Sequence, residues 1–280
     1  MSTRLREVLA GTFGTLRHEP TQKRIRATSG DATVVDSTKA MLLWEPRRIV
    51  PSYAVPAGDV DAELVRAQST GDAGVDAGAA LPDVTTLPVL DPSVPFASHT
   101  ADGETLDVRV GGRTLAGAGF RLDDPDLAGY VVLDFTAFDA WYEEDERNVA
   151  HPRDPFHRID RVPSSRRVRL ELDGAVLAES SRPTLLFETM LPPRFYLPPD
   201  DVEAELVPSD KRTYCAYKGE AAYWSVRSRG ATHDDLAWTY ENPLHDGAGV
   251  RGLVAFFTER VDAVLDGERL GRPVTPWSRR

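Results

Sequence analysis

The sequence predicts a mainly β protein: two tandem, small antiparallel barrel or sandwich domains, each with a short helix near its C-terminal end. Three observations carry that expectation. First, the chain repeats itself. VVDSTKAMLLWEP at 34–46 lies beside VLAESSRPTLLFET at 176–189, pairing Ser37 with Ser180, Trp44 with Phe187 and Glu45 with Glu188 at an offset of 143. YAVPAGDVDAELV at 53–65 matches FYLPPDDVEAELV at 195–207, setting Asp59 over Asp201 at an offset of 142, and 129–146 matches 252–269 with Asp139 over Asp262 at an offset of 123. Shared order and spacing point to a duplication whose copies are each long enough to hold a core. Second, the apolar runs MLLW and TLLFE are short and bounded by proline, which suits buried strands better than helices. Third, Asp173-Gly174 follows an alternating run at Val168, Leu170 and Leu172, a hairpin signal that demands positive φ; Gly30-Asp31 and Arg229-Gly230 mark similar turns.

The boundaries follow from the repeat. Residues 1–23 form an N-terminal segment, 24–146 the first repeat, 147–165 a linker rich in proline and arginine, and 166–280 the second repeat. The drop in offset locates an insertion at 66–95, rich in Gly, Ala, Asp, Pro and Thr, that reads as a loop either mobile or covering a site. In TAFDAWYEEDE, Thr136 stands three residues before Asp139, with Phe135, Phe138 and Trp141 at helical spacing. TERVDAVLD repeats the pattern with Thr258, Val261 and Val264, so a helix is expected in each copy.

Composition bounds the function. The 280 residues carry a formal charge of −11, which repels phosphodiester backbones and argues against nucleic acid as a partner. No run approaches the roughly 20 apolar residues of a membrane helix, so no membrane partner is expected. The N-terminal apolar stretch is too short and too charged for a secretory signal. One cysteine cannot build a disulfide framework, and a cytoplasmic location is expected. With one cysteine and six histidines lacking paired spacing, no metal signature is present. No cofactor or oligomeric state can be read. The arginine excess over four lysines reads as the coding bias of a GC-rich bacterium.

Chemistry concentrates in TYCAYKGEAAYWSV at 213–226, which holds the only cysteine, one of the four lysines and several aromatics. Cys215 and Lys218 are three residues apart with Gly219 next, as in a strand running into a turn, where an ammonium would favour thiolate over thiol. A free cysteine is also a common packing residue, and Lys218 either binds an anion or is a solvated turn cation. Glu188 ends an apolar run, as Glu45 does in the first copy, and serves either as an acid–base group or as the buried partner of an arginine such as Arg194. His233 and His245 are the nearest histidines in sequence. Asp59 and Asp201 look like turn caps. At an offset of 118 the first copy places Ala97, Thr100 and Leu106 under Cys215, Lys218 and Trp224, so it lacks the thiol, the ammonium and the aromatic wall.

The second copy carries LLFET, the pair Pro192-Pro193 before Phe195 and Tyr196, PPDDV, YCAYKGEAAYW, AWTY followed by Pro243, and LVAFF. On these it resembles the bacterial family known as domain of unknown function 427, over about 24–277, with Ala216 in place of the usual proline of Cys-Pro-Tyr-Lys-Gly. The resemblance implies a compact, mostly β domain and leaves function open. No phosphate-cradling glycine loop or paired metal-binding aspartates support a nucleotidyltransferase. Two classes of function remain. One is a pocket in the second repeat for an anionic or aromatic compound, with Cys215, Lys218 and Glu188 as its reactive groups and Tyr196, Tyr217, Tyr223 and Trp224 as its walls. The other is a non-catalytic adaptor with an aromatic surface for another protein.

Overall fold

The computed structural model describes residues 2–68 and 78–278, in two units, Met1–Asp154 and Pro155–Arg280. Each unit pairs a seven-stranded with a four-stranded antiparallel sheet. The first unit's large sheet runs Arg17–Pro20, Met41–Trp44, Ser52–Pro56, Tyr130–Leu133, Arg113–Leu122, Gly103–Val110, Glu63–Arg66. The second unit's runs Ile159–Pro163, Thr184–Glu188, Arg194–Leu197, Val254–Phe256, Ala231–Thr239, Gly219–Ser228, Glu205–Cys215. Taken in chain order, the two sheets have the same strand order. The small sheets correspond as well: Ala32–Ser37, Ile25–Ser29, Ala140–Glu143, Glu146–Asn148 in the first unit and Ala175–Ser180, Val168–Leu172, Asp262–Leu265, Glu268–Arg269 in the second. Every sheet keeps open edges, so each unit is an open sandwich and not a barrel.

Each core lies between its two sheets because strand residues of one parity face inward. In the first unit Ile25, Ala27, Val35 and Trp141 from the small sheet meet Tyr53, Val55, Leu106, Val108 and Leu133 from the large one. In the second, Val168, Leu170 and Ala263 meet Leu185, Phe195, Leu197, Val226 and Phe256. Register is pinned by the turns: Asp173 and Gly174 take φ of 50° and 75° between paired Leu172 and Ala175, and Arg229 and Gly230 take 49° and 80° between paired Ser228 and Ala231. Both expected acid caps hold a serine. Ser37 Oγ donates to Asp59 Oδ2 at 2.6 Å, and Ser180 Oγ donates to Asp201 Oδ2 at 2.6 Å.

The helices expected near each unit's end are not there. In the first unit Asp134 caps a single 3-10 turn, Phe135–Ala137, by accepting from Thr136 N at 2.9 Å; the chain then continues as the strand Ala140–Glu143. Asp139 closes no capping box. It accepts from Gly30 N at 2.6 Å, beside the neighbouring hairpin. In the second unit the chain turns at 258–261 and enters the strand Asp262–Leu265. So short a segment is a marginal helix in isolation, whereas as a strand it satisfies its backbone against Ile25–Ser29 or Val168–Leu172. The α-helix of the described residues is Leu5–Gly11, ahead of the first unit's strands.

The 66–95 insertion is structured where it is described, and residues 69–77 lie outside the described residues. Ala79–Leu81 and Thr85–Val89 form a hairpin, and Leu81, Val89 and Leu90 are buried. Beyond it, the buried Arg48 guanidinium donates to the carbonyls of Val94, Pro95, Phe96 and Ser98 at 2.7–3.3 Å. A mobile insertion would tolerate truncation of Leu90. A buried one does not, and Leu90→Ala is expected to cost about 2–4 kcal/mol in urea unfolding.

Candidate functional site

The second unit's large sheet buries its outer face as well as its inner one. Alternation along each strand sends Phe195, Leu197, Trp224, Ala237 and Phe256 inward, and Leu186, Tyr196, Ala221, Tyr223, Trp238, Tyr240, Ala255 and Phe257 outward into a second cluster. Glu188 shares the parity of Leu186 and so ends its strand on this outer side. The turn Ala216-Tyr217-Lys218 joins Glu205–Cys215 to Gly219–Ser228, with Cys215 paired directly across from Gly219. Gly219 takes φ of 90°, and a side chain there would meet Leu244 N at 3.2 Å. Leu244 N donates to the Lys218 carbonyl at 3.0 Å, and Gly247 lies so close that an added methyl would sit 3.1 Å from the same carbonyl oxygen. The 3-10 segment His245–Val250 is thereby clasped onto the turn that carries Lys218.

At the centre is a buried ion pair. Lys218 Nζ donates to Glu188 Oε2, and both side chains are less than a tenth exposed. The other carboxylate oxygen, Oε1, accepts from His157 Nε2 at 3.0 Å, which assigns the proton to that nitrogen, since an ionised carboxylate only accepts. The His157 ring stacks on Tyr217 with centroids 4.4 Å apart. Burial pushes the Glu188 carboxyl up, but the Lys218 charge and the hydrogen bond from His157 outweigh it and hold it down at about 2. Burial likewise pushes Lys218 down, and the Glu188 charge, with Cys215 and Tyr196 adding to it, carries the ammonium above its ordinary range. Tyr196 is raised to about 12, chiefly by burial, and its hydroxyl oxygen accepts from Trp238 Nε1 at 3.1 Å. Tyr240 is raised well above its ordinary value by burial and by Tyr196 and Cys215 nearby.

The cluster therefore unites Glu188, Tyr196, Cys215, Tyr217 and Lys218, with Cys215 half-buried at its strand end. Tyr223 lines the same face, its hydroxyl 3.0 Å from Thr213 Oγ1 and its ring under Lys211 Nζ at 4.6 Å. Trp224 is not brought to them. As the next residue on the strand it faces the inner core, and its indole N–H is buried without a partner among the described residues. Nor does Arg194 partner Glu188. It forms a buried bidentate pair with Glu259 at 2.6 Å in both arms and lies over Trp238, Phe257 and Trp277 at 5.6–6.0 Å, bracing the aromatic flank. Sequence reasoning missed His157, Trp238 and Tyr240. His157 sits in the proline-rich stretch read as linker, and His245, one of the two histidines weighed instead, is exposed beside Asp246. Two surface clefts lie in the first unit, one by the Leu5–Gly11 helix and one by Gly103 and Arg121, and neither includes a residue of this cluster.

The first unit handles the equivalent glutamate differently. Glu45 accepts from His99 Nδ1 at 2.9 Å, Thr100 N at 2.7 Å and Ala101 N at 3.2 Å, while the His99 ring stacks on Phe120 at 3.6 Å. By strand order Ala54, Phe120 and Leu122 stand where the second unit has Tyr196, Trp238 and Tyr240.

Removing one member of the buried pair strands the other's charge. Lys218→Met or Glu188→Leu alone should cost about 3–5 kcal/mol, and the double variant should recover much of that in urea unfolding. Because the folded-state Glu188 lies below its unfolded value, its stabilisation is complete above about pH 4.5 and fades as pH falls toward about 2. Glu188→Gln should flatten that part of the acid-unfolding curve.

Residues 160–267 match the family model described as a domain of unknown function (DUF427). No curated protein matches the chain. The matched stretch contains Glu188, Tyr196, Cys215, Lys218, Trp238 and Tyr240, together with most of the two sheets that frame them, and leaves out His157. The second unit of this chain is a member of the domain of unknown function 427 family.

Proposed function

We propose that the second unit binds a small molecule on the outer face of its large sheet, at the Glu188–Lys218 cluster, and that the first unit is a diverged copy serving as scaffold. The observation that carries this reading is the asymmetry between equivalent faces. Beside a carboxylate that both units keep, the second unit gathers an ammonium, a thiol and two phenols against aromatic walls, where the first has Thr100, Ala97, Ala54 and Leu122. Burying an ion pair seldom adds stability over apolar packing, so a fold that keeps one beside a thiol and phenols is organised for recognition or chemistry. Of the anionic or aromatic ligand expected from sequence, the walls of Tyr223, Trp238 and Phe257 support the aromatic part.

The adaptor reading has less behind it, because the aromatics of this face are buried and not spread as an exposed patch. A metabolite library screened by thermal shift decides between them. Compounds that raise the midpoint of the wild type should lose their effect in Lys218→Ala and keep it in Thr100→Ala; equal loss in both would place the site elsewhere.

A further inference from the structure

Among the described residues, the stretch that follows the second unit's last strand is fastened to that unit by side chains. Leu270 N still donates to Ala263 O at 2.8 Å, beside the small sheet, but beyond it the backbone hydrogen bonds of 271–278 stay inside the segment. Ser278 N donates to Thr275 O at 3.1 Å, Thr275 N to Ser278 Oγ at 3.0 Å and Ser278 Oγ to Pro273 O at 3.4 Å, so 273–278 is a self-contained turn. Two side chains dock it. Thr275 is buried, and its hydroxyl donates to Glu259 Oε1 at 2.6 Å. Trp277 packs on the outer aromatic cluster, its ring 5.7 Å from the Arg194 guanidinium that also lies over Trp238 and Phe257. Gly271 and Arg272, which lead into the turn, are exposed.

A turn held in this way can leave without breaking a sheet, since its own bonds travel with it and no strand pairing is lost. Two opposed terms set the balance. Docking buries part of the Trp277 ring against the aromatic cluster, which favours the closed position. It also helps seal the pair of Arg194 and Glu259, whose side chains are 7% and 0% exposed, and a sealed ion pair seldom repays its lost hydration. Release returns water to both charges and uncovers the face on which the turn lies. At the offsets of the repeat the first copy has Ser52 and Thr136 where the second has Arg194 and Glu259. The seat for the turn thus belongs to the unit that carries the Lys218 cluster.

Resting on the small-molecule reading above, we infer that 273–278 is a hinged lid on the outer face of the second unit, latched by Thr275 on Glu259, and that its release opens this face to the ligand. Water exchange of indole N–H groups and of the Ser278 amide in the full chain, measured by NMR, tests it. Trp238 Nε1 is buried on the covered face and donates to Tyr196, whereas Trp224 Nε1 is buried on the inner side of the sheet. Thr275→Val keeps the side-chain shape and removes a hydroxyl bonded to a charge, so exchange at Ser278 and at the Trp238 indole should rise together by about ten- to hundredfold. The Trp224 indole should keep its wild-type rate, and Thr275→Ser should behave as wild type throughout. Acceleration at Ser278 without Trp238 means that the segment merely frays, and equal acceleration at Trp224 means general loosening; either result overturns the lid. Anilinonaphthalene sulfonate, an aromatic anion, should bind Thr275→Val several-fold more tightly than wild type in a fluorescence titration, because a larger share of molecules is open. No gain in its affinity also overturns the lid. Adding Lys218→Ala to Thr275→Val separates the two readings: loss of the gained affinity supports both, while its retention removes the Lys218 site and leaves the lid standing.

Discussion

A carboxylate buried at the end of a strand must be answered by donors, and both units are arranged around that demand. Glu45 and Glu188 occupy the same place, and each has a histidine on one oxygen, although His99 and His157 come from different parts of the chain. The difference is in what completes the set. Backbone N–H groups of Thr100 and Ala101 serve Glu45 with no added charge, whereas Glu188 takes the ammonium of Lys218. Around a paired charge the second unit has accumulated phenols, a thiol and an arginine-braced tryptophan; around a backbone-satisfied one the first has packed Phe120 and Leu122.

The parts of this architecture set by local rules were legible in the sequence. Asp173-Gly174 and Arg229-Gly230 announce their turns because few pairs accept positive φ twice in succession, and the short apolar runs between them lie in strands. The C-terminal helices were misread because Phe135, Phe138 and Trp141 fit a helical period, while the competing strand pairing with Ile25–Ser29 is long-range and leaves no local mark. The 66–95 insertion was misread in the same way. Its Gly- and Pro-rich composition hides a hairpin with Leu81 and Val89 buried and Pro88 O accepting from Arg47, followed by the buried Leu90.

The candidate site divides along the same line. The motif at 213–226 named Cys215 and Lys218, and the repeat named Glu188 as their neighbour in kind, but only three dimensions join Lys218 to Glu188 across 30 residues. Trp224 was grouped with Tyr223 because they are adjacent, yet adjacency on a strand sends them to opposite faces. His157 could not be found by pattern at all. It lies 31 residues from its partner in a stretch whose composition speaks only of a connection.

The clasp between Leu244 and the Lys218 carbonyl has a kinetic meaning. The buried pair sits below a turn tied by backbone hydrogen bond to the His245–Val250 segment, and Gly219 and Gly247 permit a contact with no spare room. Parting that bond requires local opening of the segment, a unimolecular event. Amide exchange at Leu244 would time that opening directly.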